Sequence, residues 1–205
     1  MFCNKNKINW EDHDKLRECV RSFMGEPRYI HTLGVEGESE KLAEMFGCGR
    51  KETKKIKTAA LLHDITKEFS REKQLEICGK YKIKLTGDDL RVEKGWHAIT
   101  AAYIARHEFG ACDTVFDAIY NHTFGALLQE FLLPAKIIYL ADYIEPGRAH
   151  KDCIAVREYF YKNKNLDETL FYAMNTALQI VLNENLFMHK SAVEYRNSFI
   201  NCESE

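Results

Sequence analysis

The chain has 205 residues, of which 45% are hydrophobic and 12% are aromatic, and such a composition is typical of a folded globule. Its 29 basic and 31 acidic residues give a formal charge of −2, which argues against a nucleic-acid-binding surface and against attachment to an anionic membrane. No apolar run approaches the ~20 residues that a helix needs to cross a bilayer.

Seven cysteines are scattered along the chain, and no two of them form a CxxC pair. An odd number of scattered cysteines is typical of free thiols in a reducing compartment. The N-terminal segment is polar and lacks the apolar core of a signal peptide. We therefore predict a cytoplasmic protein with a single domain that spans residues 1–205.

Apolar residues recur with the 3.6-residue period of an α-helix almost throughout the chain, and no pair of alternating strands is present. The fold class predicted from this pattern is all-α. The segments 82–89 and 91–96 are predicted loops. Predicted helices lie near residues 10–24, 28–46, 51–66, 71–81, 97–109, 113–122, 134–145, 152–162, 166–182 and 190–200.

The clearest helical stripe runs from Leu166 to Leu182. Asn165 and Glu168 precede it with the spacing of an N-terminal capping box. We interpret the whole stripe as core packing. Glycines lie where several helices should end, at Gly47, Gly79, Gly110 and Gly125.

Polar side chains interrupt these apolar helices at a few places. A buried imidazole or carboxylate is costly unless it has a partner. Taken singly, each such histidine is more often an ordinary surface or core residue. The intrusions are, in chain order, His31, His63, Asp64, His97, His122 and Asp142. The remaining histidines lie in charged contexts and are assigned no role; they are His13, His107, His150 and His189.

Neutral imidazoles together with carboxylates bind divalent transition metals well. The six intrusions are far apart in sequence, which excludes a zinc finger, because its ligands come in short pairs. The spacing is typical of a helical bundle whose inward faces converge on a metal site in the core.

The order of these residues resembles a known family. His31, then His63-Asp64, then Asp142 follow the H…HD…D pattern of the HD-domain metal-dependent phosphohydrolases. The flanking segments "RYIHTLGV" (28–35), "AALLHDITK" (59–67), "AIYNHTFG" (118–125) and "ADYIEPGR" (141–148) resemble its YqeK-type branch. The resemblance extends from about residue 12 to about residue 200.

The resemblance implies an HD-domain helical bundle with a dinuclear metal site in its core. The HD core would span about 26–146, with C-terminal helices at about 150–200 packed on it. The implied metals are two divalent ions, with iron favoured and manganese plausible. The ligands implied for one ion are His31, His63, Asp64 and Asp142. Asp64 would bridge to a second ion held by His97 and His122.

The branch that the chain resembles implies a reaction: a hydroxide held between the metals would cut diadenosine tetraphosphate into two ADP. Asp64 and Lys67 are the implied catalytic residues. Lys67 lies four residues after His63, so on a continuing helix both side chains point to the same side. The substrate-binding candidates are Arg28, Lys67, His97, Thr123, Gly125, Asp142 and Arg148.

Ordinary structural roles stay open for several of these residues. Lys67 alone would be a solvated lysine, Arg148 a cation at a helix end, and the Thr123–Gly125 segment a C-terminal cap. Glu145 is a candidate to orient Arg148 or a ligand. The alternative functions are hydrolysis of another nucleotide, and a non-enzymatic sensor that uses its metals structurally. A homodimer is also compatible with the sequence.

Overall fold

A computed structural model describes residues 10–125 and 132–200. Within these two ranges the regular elements are all helical, which confirms the predicted fold class. No helix there is both long and apolar enough to cross a membrane. The helices are α1 (His13–Arg21), α2 (Glu26–Met45), α3 (Arg50–Leu62), α4 (Arg71–Tyr81), α5 (Gly87–Arg91), α6 (Trp96–Glu108), α7 (Asp113–Tyr120), α8 (Leu133–Ile144), α9 (Lys151–Asn163), α10 (Leu166–Asn183) and α11 (Lys190–Ser198).

The centre of the bundle is built from α2, α3, α7 and α8. Helix α2 packs on α3 and α8, and α7 packs on α3, α6 and α8. Fully buried side chains such as Leu61, Ile119 and Ile137 fill the space between these helices. Burying a side chain of this size contributes roughly 1.5–3 kcal/mol. The C-terminal helices α9 and α10 pack against α8, and α11 packs against α10.

Helix α3 is shorter than its apolar pattern predicted. It ends at Leu62, and the chain continues through residue 68 in turns instead of the predicted helix to residue 66. The amide of Lys67 donates to the carbonyl of Asp64 at 3.0 Å, a bond of the i to i+3 kind. The prediction that Lys67 follows His63 on a continuing helix was therefore wrong.

The segments 82–89 and 91–96 were predicted as loops, which is correct for 82–86 and wrong for most of the rest. The chain between α4 and α6 contains α5 and a single 3₁₀ turn over Glu93–Gly95. Thr86 and Asp89 form a reciprocal capping box that stabilises the five residues of α5. A helix this short has no measurable period, so its sequence carries no periodic signal. Gly79, a predicted helix end, lies inside α4 instead.

The long stripe on α10 is only half buried. Leu166, Leu170 and Met174 are in the core, as predicted. Farther along the helix, Leu178 lines a cavity and Leu182 is 58% exposed. Leu178 still packs partly buried against the core, so the stripe loses its core packing only at its far end, at Leu182.

Candidate metal centre

Three helix ends and two helix interiors bring the six polar intrusions together. His31 lies within α2 and Asp142 within α8, whereas His97 is the second residue of α6. His63 directly follows α3, and His122 follows α7 by two residues. Their ligand atoms form three overlapping groups in which all atoms lie within 4.8 Å of one another: His31 with His63 and Asp64, His63 with His122 and Asp142, and Asp64 with His97 and His122.

Asp64 occupies the middle of the cluster and is 2% exposed. Its Oδ2 atom lies 3.4 Å from His63 Nε2 and 2.8 Å from Arg28 Nη1. Its Oδ1 atom lies 3.2 Å from His97 Nε2 and 3.6 Å from His122 Nε2. The two oxygens of one carboxylate thus face two different sets of side chains. We name them the Oδ2 side (Arg28, His31, His63 and Asp142) and the Oδ1 side (Lys67, His97, His122 and Thr123).

The Oδ2 side contains a second carboxylate, Asp142. Its Oδ1 atom lies 3.0 Å from His31 Nε2 and 3.9 Å from His63 Nε2. The guanidinium of Arg148 donates to the same oxygen at 2.5 Å and to the Asp142 carbonyl at 2.9 Å. Arg148 therefore holds Asp142 in place in this structure, and its side chain remains 38% exposed.

The Oδ1 side contains a lysine instead of a second carboxylate. Lys67 Nζ donates to His97 Nε2 at 2.9 Å and lies 3.9 Å from Asp64 Oδ1. Thr123 Oγ1 lies 3.3 Å from the same nitrogen of His97. Lys67 reaches the cluster even though α3 does not continue to it, because the turns after Leu62 fold back beside His97.

The carboxylates of the cluster are held in their charged form. Burial raises the pKa of Asp64, but His63, His122 and Lys67 together outweigh burial, so this pKa lies well below its usual range. Burial likewise raises the pKa of Asp142, whereas His31 and Arg148 bring it well below the usual range. Two ionised carboxylates in a buried cluster attract a cation.

The basic groups of the Oδ1 side are shifted toward their neutral form. Burial, reinforced by Lys67 and His122, holds the pKa of His97 well below its usual range. Burial also lowers the pKa of Lys67, against the attraction of Asp64. A metal requires a neutral imidazole and an ionised carboxylate, and His97 and both carboxylates favour these forms. His63 differs, because burial lowers its pKa but the attraction of Asp64 and Asp142 outweighs burial and raises it.

Several buried atoms of the cluster have no hydrogen-bond partner among the described residues. They include His31 Nε2, His63 Nε2 and Asp64 Oδ1. His97 Nδ1 and His122 Nδ1 are engaged by the carbonyls of Lys94 and Ile119, so both Nε2 atoms are assigned as unprotonated, yet they lie 3.1 Å apart. Facing lone pairs and orphaned buried acceptors are costly unless a cation lies between them. The donor set therefore fits divalent metal ions.

The remaining predicted binding residues differ in whether their surroundings suit contact with a substrate. Gly125 has φ +75°, and a Cβ there would overlap the Tyr195 ring, so packing alone explains this glycine. Thr123 lies between His97 and a cavity, a position that suits contact with a ligand. Arg28 is bound to Asp64, and Arg148 to Asp142.

Sequence reasoning missed a cavity of about 420 Å³ beside the cluster. The C-terminal helices supply most of its apolar wall, including Met174, Leu178 and Val181. Thr123 and Phe124 form the wall nearest the cluster, and the Phe124 ring stacks on the His189 imidazole at 4.2 Å between ring centres. No signal in the sequence marks this cavity, because distant segments form its walls only when they pack together.

Comparison with known proteins supports a common architecture. The family model described as HD domain matches residues 28–147. A protein of Bacillus subtilis (strain 168) named symmetrical bis(5′-nucleosyl)-tetraphosphatase is 34% identical over 175 residues, covering 85% of this chain and 90% of that protein. A Staphylococcus aureus (strain NCTC 8325 / PS 47) protein of the same name is 29% identical over 189 residues, covering 91% and 93%.

A crystal structure of a Clostridium acetobutylicum protein, described as a predicted HD superfamily hydrolase involved in NAD metabolism, has a TM-score of 0.83 and 31% identity to this chain. The match covers 92% of this chain and 96% of that one. Since the family model spans more than half of the residues, the chain belongs to the HD domain family, in the branch that includes the symmetrical bis(5′-nucleosyl)-tetraphosphatases.

Proposed function

We propose that this protein is a metal-dependent hydrolase that cleaves diadenosine tetraphosphate symmetrically into two ADP. The observation that carries the proposal is the convergence of five candidate metal ligands around a sixth, Asp64, next to basic and hydroxyl groups. The names of the related proteins support the substrate, because they act on bis(5′-nucleosyl) tetraphosphates.

The proposed ligands follow the two sides of Asp64. His31, His63, Asp64 and Asp142 would hold one divalent ion, and Asp64, His97 and His122 would hold a second. Iron is the proposed native metal, with manganese as a substitute, because mixed imidazole and carboxylate ligands suit both. When bound, such ions lower the pKa of a coordinated water and neutralise phosphoryl oxygens.

The chain's own cations would bind the phosphate groups. Lys67 already lies beside Asp64, with its side chain 35% exposed, and Arg28 lies on the opposite side of the same carboxylate. Arg148 can contact both Asp142 and a phosphate, since its guanidinium has several donors in a planar fork. These cations would stabilise the negative charge that develops as water attacks one central phosphorus and the bridging oxygen leaves with the other half.

The apolar cavity is the proposed site for one nucleoside. Its volume of about 420 Å³ falls within the ~300–1,000 Å³ range of small-molecule sites. It opens beside Thr123, whose hydroxyl lies 3.3 Å from His97 Nε2. A nucleoside in the cavity would therefore place its phosphates next to the cluster.

The proposed setting is the cytoplasm, with the protein as a monomer or a homodimer. Five cysteines in the described residues form no disulfide bond: Cys19, Cys48, Cys78, Cys112 and Cys153. Free thiols persist in a reducing compartment. Cys3 and Cys202 lie outside the described residues.

Product analysis tests this function. The protein is purified anaerobically, loaded with iron or manganese and incubated with diadenosine tetraphosphate, and the nucleotides are separated by chromatography. We expect ADP alone, and no product in the presence of a chelator. ATP plus AMP would contradict symmetric cleavage. No product from the fully loaded protein would contradict the substrate, and other nucleotides would then be tested before a sensor function.

A further inference from the structure

Three of the four histidines in the cluster are oriented by their own chain segment. His63 Nδ1, His97 Nδ1 and His122 Nδ1 each contact a backbone carbonyl three residues earlier, at 2.6–2.7 Å. Those carbonyls are accessible because the residues lie at helix ends, where the last carbonyls of a helix or 3₁₀ turn lack intrahelical partners. Each ring is thereby fixed with Nε2 facing the cluster.

His31 has no such carbonyl, because it lies within the 20-residue helix α2. Carbonyls in a helix interior are already bonded to amides four residues later. The ring of His31 therefore needs an acceptor from another element. Glu145 provides it, since its Oε1 atom lies 3.1 Å from His31 Nδ1.

Glu145 is itself held firmly. It directly follows α8, is 3% exposed, and its Oε2 atom accepts the amide of Gly147 at 2.6 Å. Arg157 on α9 binds three carbonyls of the same loop, those of Ile144, Glu145 and Arg148, at 2.5–2.8 Å. The carboxylate is thus fixed by its own loop and by the helix behind that loop.

Helix α2 makes room for this carboxylate at Gly34, one turn after His31. A Cβ on Gly34 would overlap Glu145 Oε2. Gly37, one turn farther along α2, has no atom within 4 Å of the position of its Cβ. A glycine costs a helix interior roughly 0.5–1 kcal/mol relative to alanine, and at position 34 this cost has a specific steric reason.

We propose that Glu145 is a positioning residue that holds His31 as its Nδ1–H tautomer and directs Nε2 toward Asp64 and Asp142, and that Gly34 admits the Glu145 carboxylate. The proposal rests on the proposed metal site. Of the two expected roles of Glu145, orienting Arg148 or orienting a ligand, it selects the second and names the ligand as His31. A carboxylate behind a metal-ligating imidazole fixes the ring and raises its basicity.

The first test is the affinity for Mn²⁺ alone, measured by electron paramagnetic resonance titration of the full chain. Glu145→Ala and Gly34→Ala are expected to weaken binding ~10–100-fold, as is common when such a partner is lost. Glu145→Gln retains one acceptor oxygen and is expected to fall between wild type and Glu145→Ala. Gly37→Ala is the matched control on the same helix and should bind like wild type.

Equal affinity in wild type and Gly34→Ala, or equal losses in Gly34→Ala and Gly37→Ala, would overturn the proposal. The second test is independent of metal. Imidazole ¹⁵N spectra of the metal-free protein, at a pH where His31 is neutral, report its tautomer. We expect the Nδ1–H form in wild type and Gly37→Ala, and a mixture of tautomers in Glu145→Ala.

An unchanged tautomer in Glu145→Ala would refute the positioning role even if Mn²⁺ binding fell. A wild-type protein that binds no Mn²⁺ but shows the expected tautomers would refute the proposed metal site and leave the role of Glu145 intact. The two proposals therefore fail in different measurements.

Discussion

The two sides of Asp64 differ in their ligands although they share one carboxylate. The Oδ2 side adds a second carboxylate, Asp142, and two guanidinium groups, with Arg28 2.8 Å from Asp64 Oδ2 and Arg148 2.5 Å from Asp142 Oδ1. The Oδ1 side adds no carboxylate and has Lys67 2.9 Å from His97 Nε2. A metal ion on the Oδ2 side gains a second carboxylate ligand, whereas one on the Oδ1 side has none and competes with Lys67 for His97 Nε2. We therefore expect two metal positions of unequal affinity, the weaker one beside Lys67.

Removing the carboxylate of Asp64 should disable both metal positions at once. Asp64→Ala takes a ligand from both sides, and we expect hydrolysis of diadenosine tetraphosphate to fall by at least ~10³-fold. Steady-state kinetics with saturating Mn²⁺ measures the effect. Asp113→Ala, at a side chain that is 90% exposed, is the control and should retain wild-type rates. Hydrolysis by Asp64→Ala with metal still bound would contradict the dimetal proposal.

Substitutions on one side at a time should change the Mn²⁺ affinity of one metal position and not of the other. Asp142→Asn removes the negative charge from the Oδ2 side, and we expect the tighter Mn²⁺ site to weaken by at least the ~10–100-fold that loss of an outer partner causes. His122→Asn should weaken the looser site and leave the tighter one within a few-fold of wild type. Calorimetric titration distinguishes the two. Equal weakening of both sites by both variants would show that the sides are not separate.

Lys67 should affect catalysis and metal binding in opposite directions. Lys67→Met removes a cation from beside His97, so we expect the looser Mn²⁺ site to become tighter. The same variant loses a phosphate contact, and we expect a ~10²-fold lower rate. Metal stoichiometry and turnover are measured on the same samples. A variant that loses both metal and activity would contradict the competition between Lys67 and the second ion.

The smallest expected effect is a change in the stability of the fold, at the contact that packs the chain behind the Oδ1 side. A Cβ on Gly95 would overlap the ring of Phe124, which follows His122 and Thr123 in the chain. Gly95→Ala should destabilise the fold by roughly 1–3 kcal/mol, as overpacking does. Gly79→Ala, in α4 with no neighbour near its Cβ, should instead stabilise it by roughly 0.5–1 kcal/mol. Urea unfolding measures both, and destabilisation of equal size would refute the steric explanation.

Sequence reasoning predicted the bundle and the members of the cluster for a physical reason. Polar residues such as His63 and Asp142 stand out because they interrupt long apolar helices, and the interruption is visible without a structure. Long helices such as α2 and α10 also carry enough periods to be recognised.

The misses have physical reasons as well. Helix α5 is five residues long and depends on its cap instead of a period. The end of α3 follows from turns that the apolar pattern of 59–65 does not encode, so Lys67 was assigned to the cluster on a wrong argument. The walls of the cavity come from distant segments, and the bond between His31 and Glu145 joins residues 114 positions apart. Relations of this kind exist only in the folded molecule.

The hydrogen bonds from Arg157 limit where this chain can be truncated without loss of the site. The matched family segment stops at residue 147, yet Arg157, ten residues later, binds the carbonyls of Ile144, Glu145 and Arg148. A fragment trimmed at 147 would lack Arg148 and Arg157, and the carbonyls of Ile144 and Glu145 would lose the guanidinium that binds them. A minimal fragment that keeps the site therefore has to include α9, and we expect insertions between α8 and α9 to disturb the loop that holds Glu145.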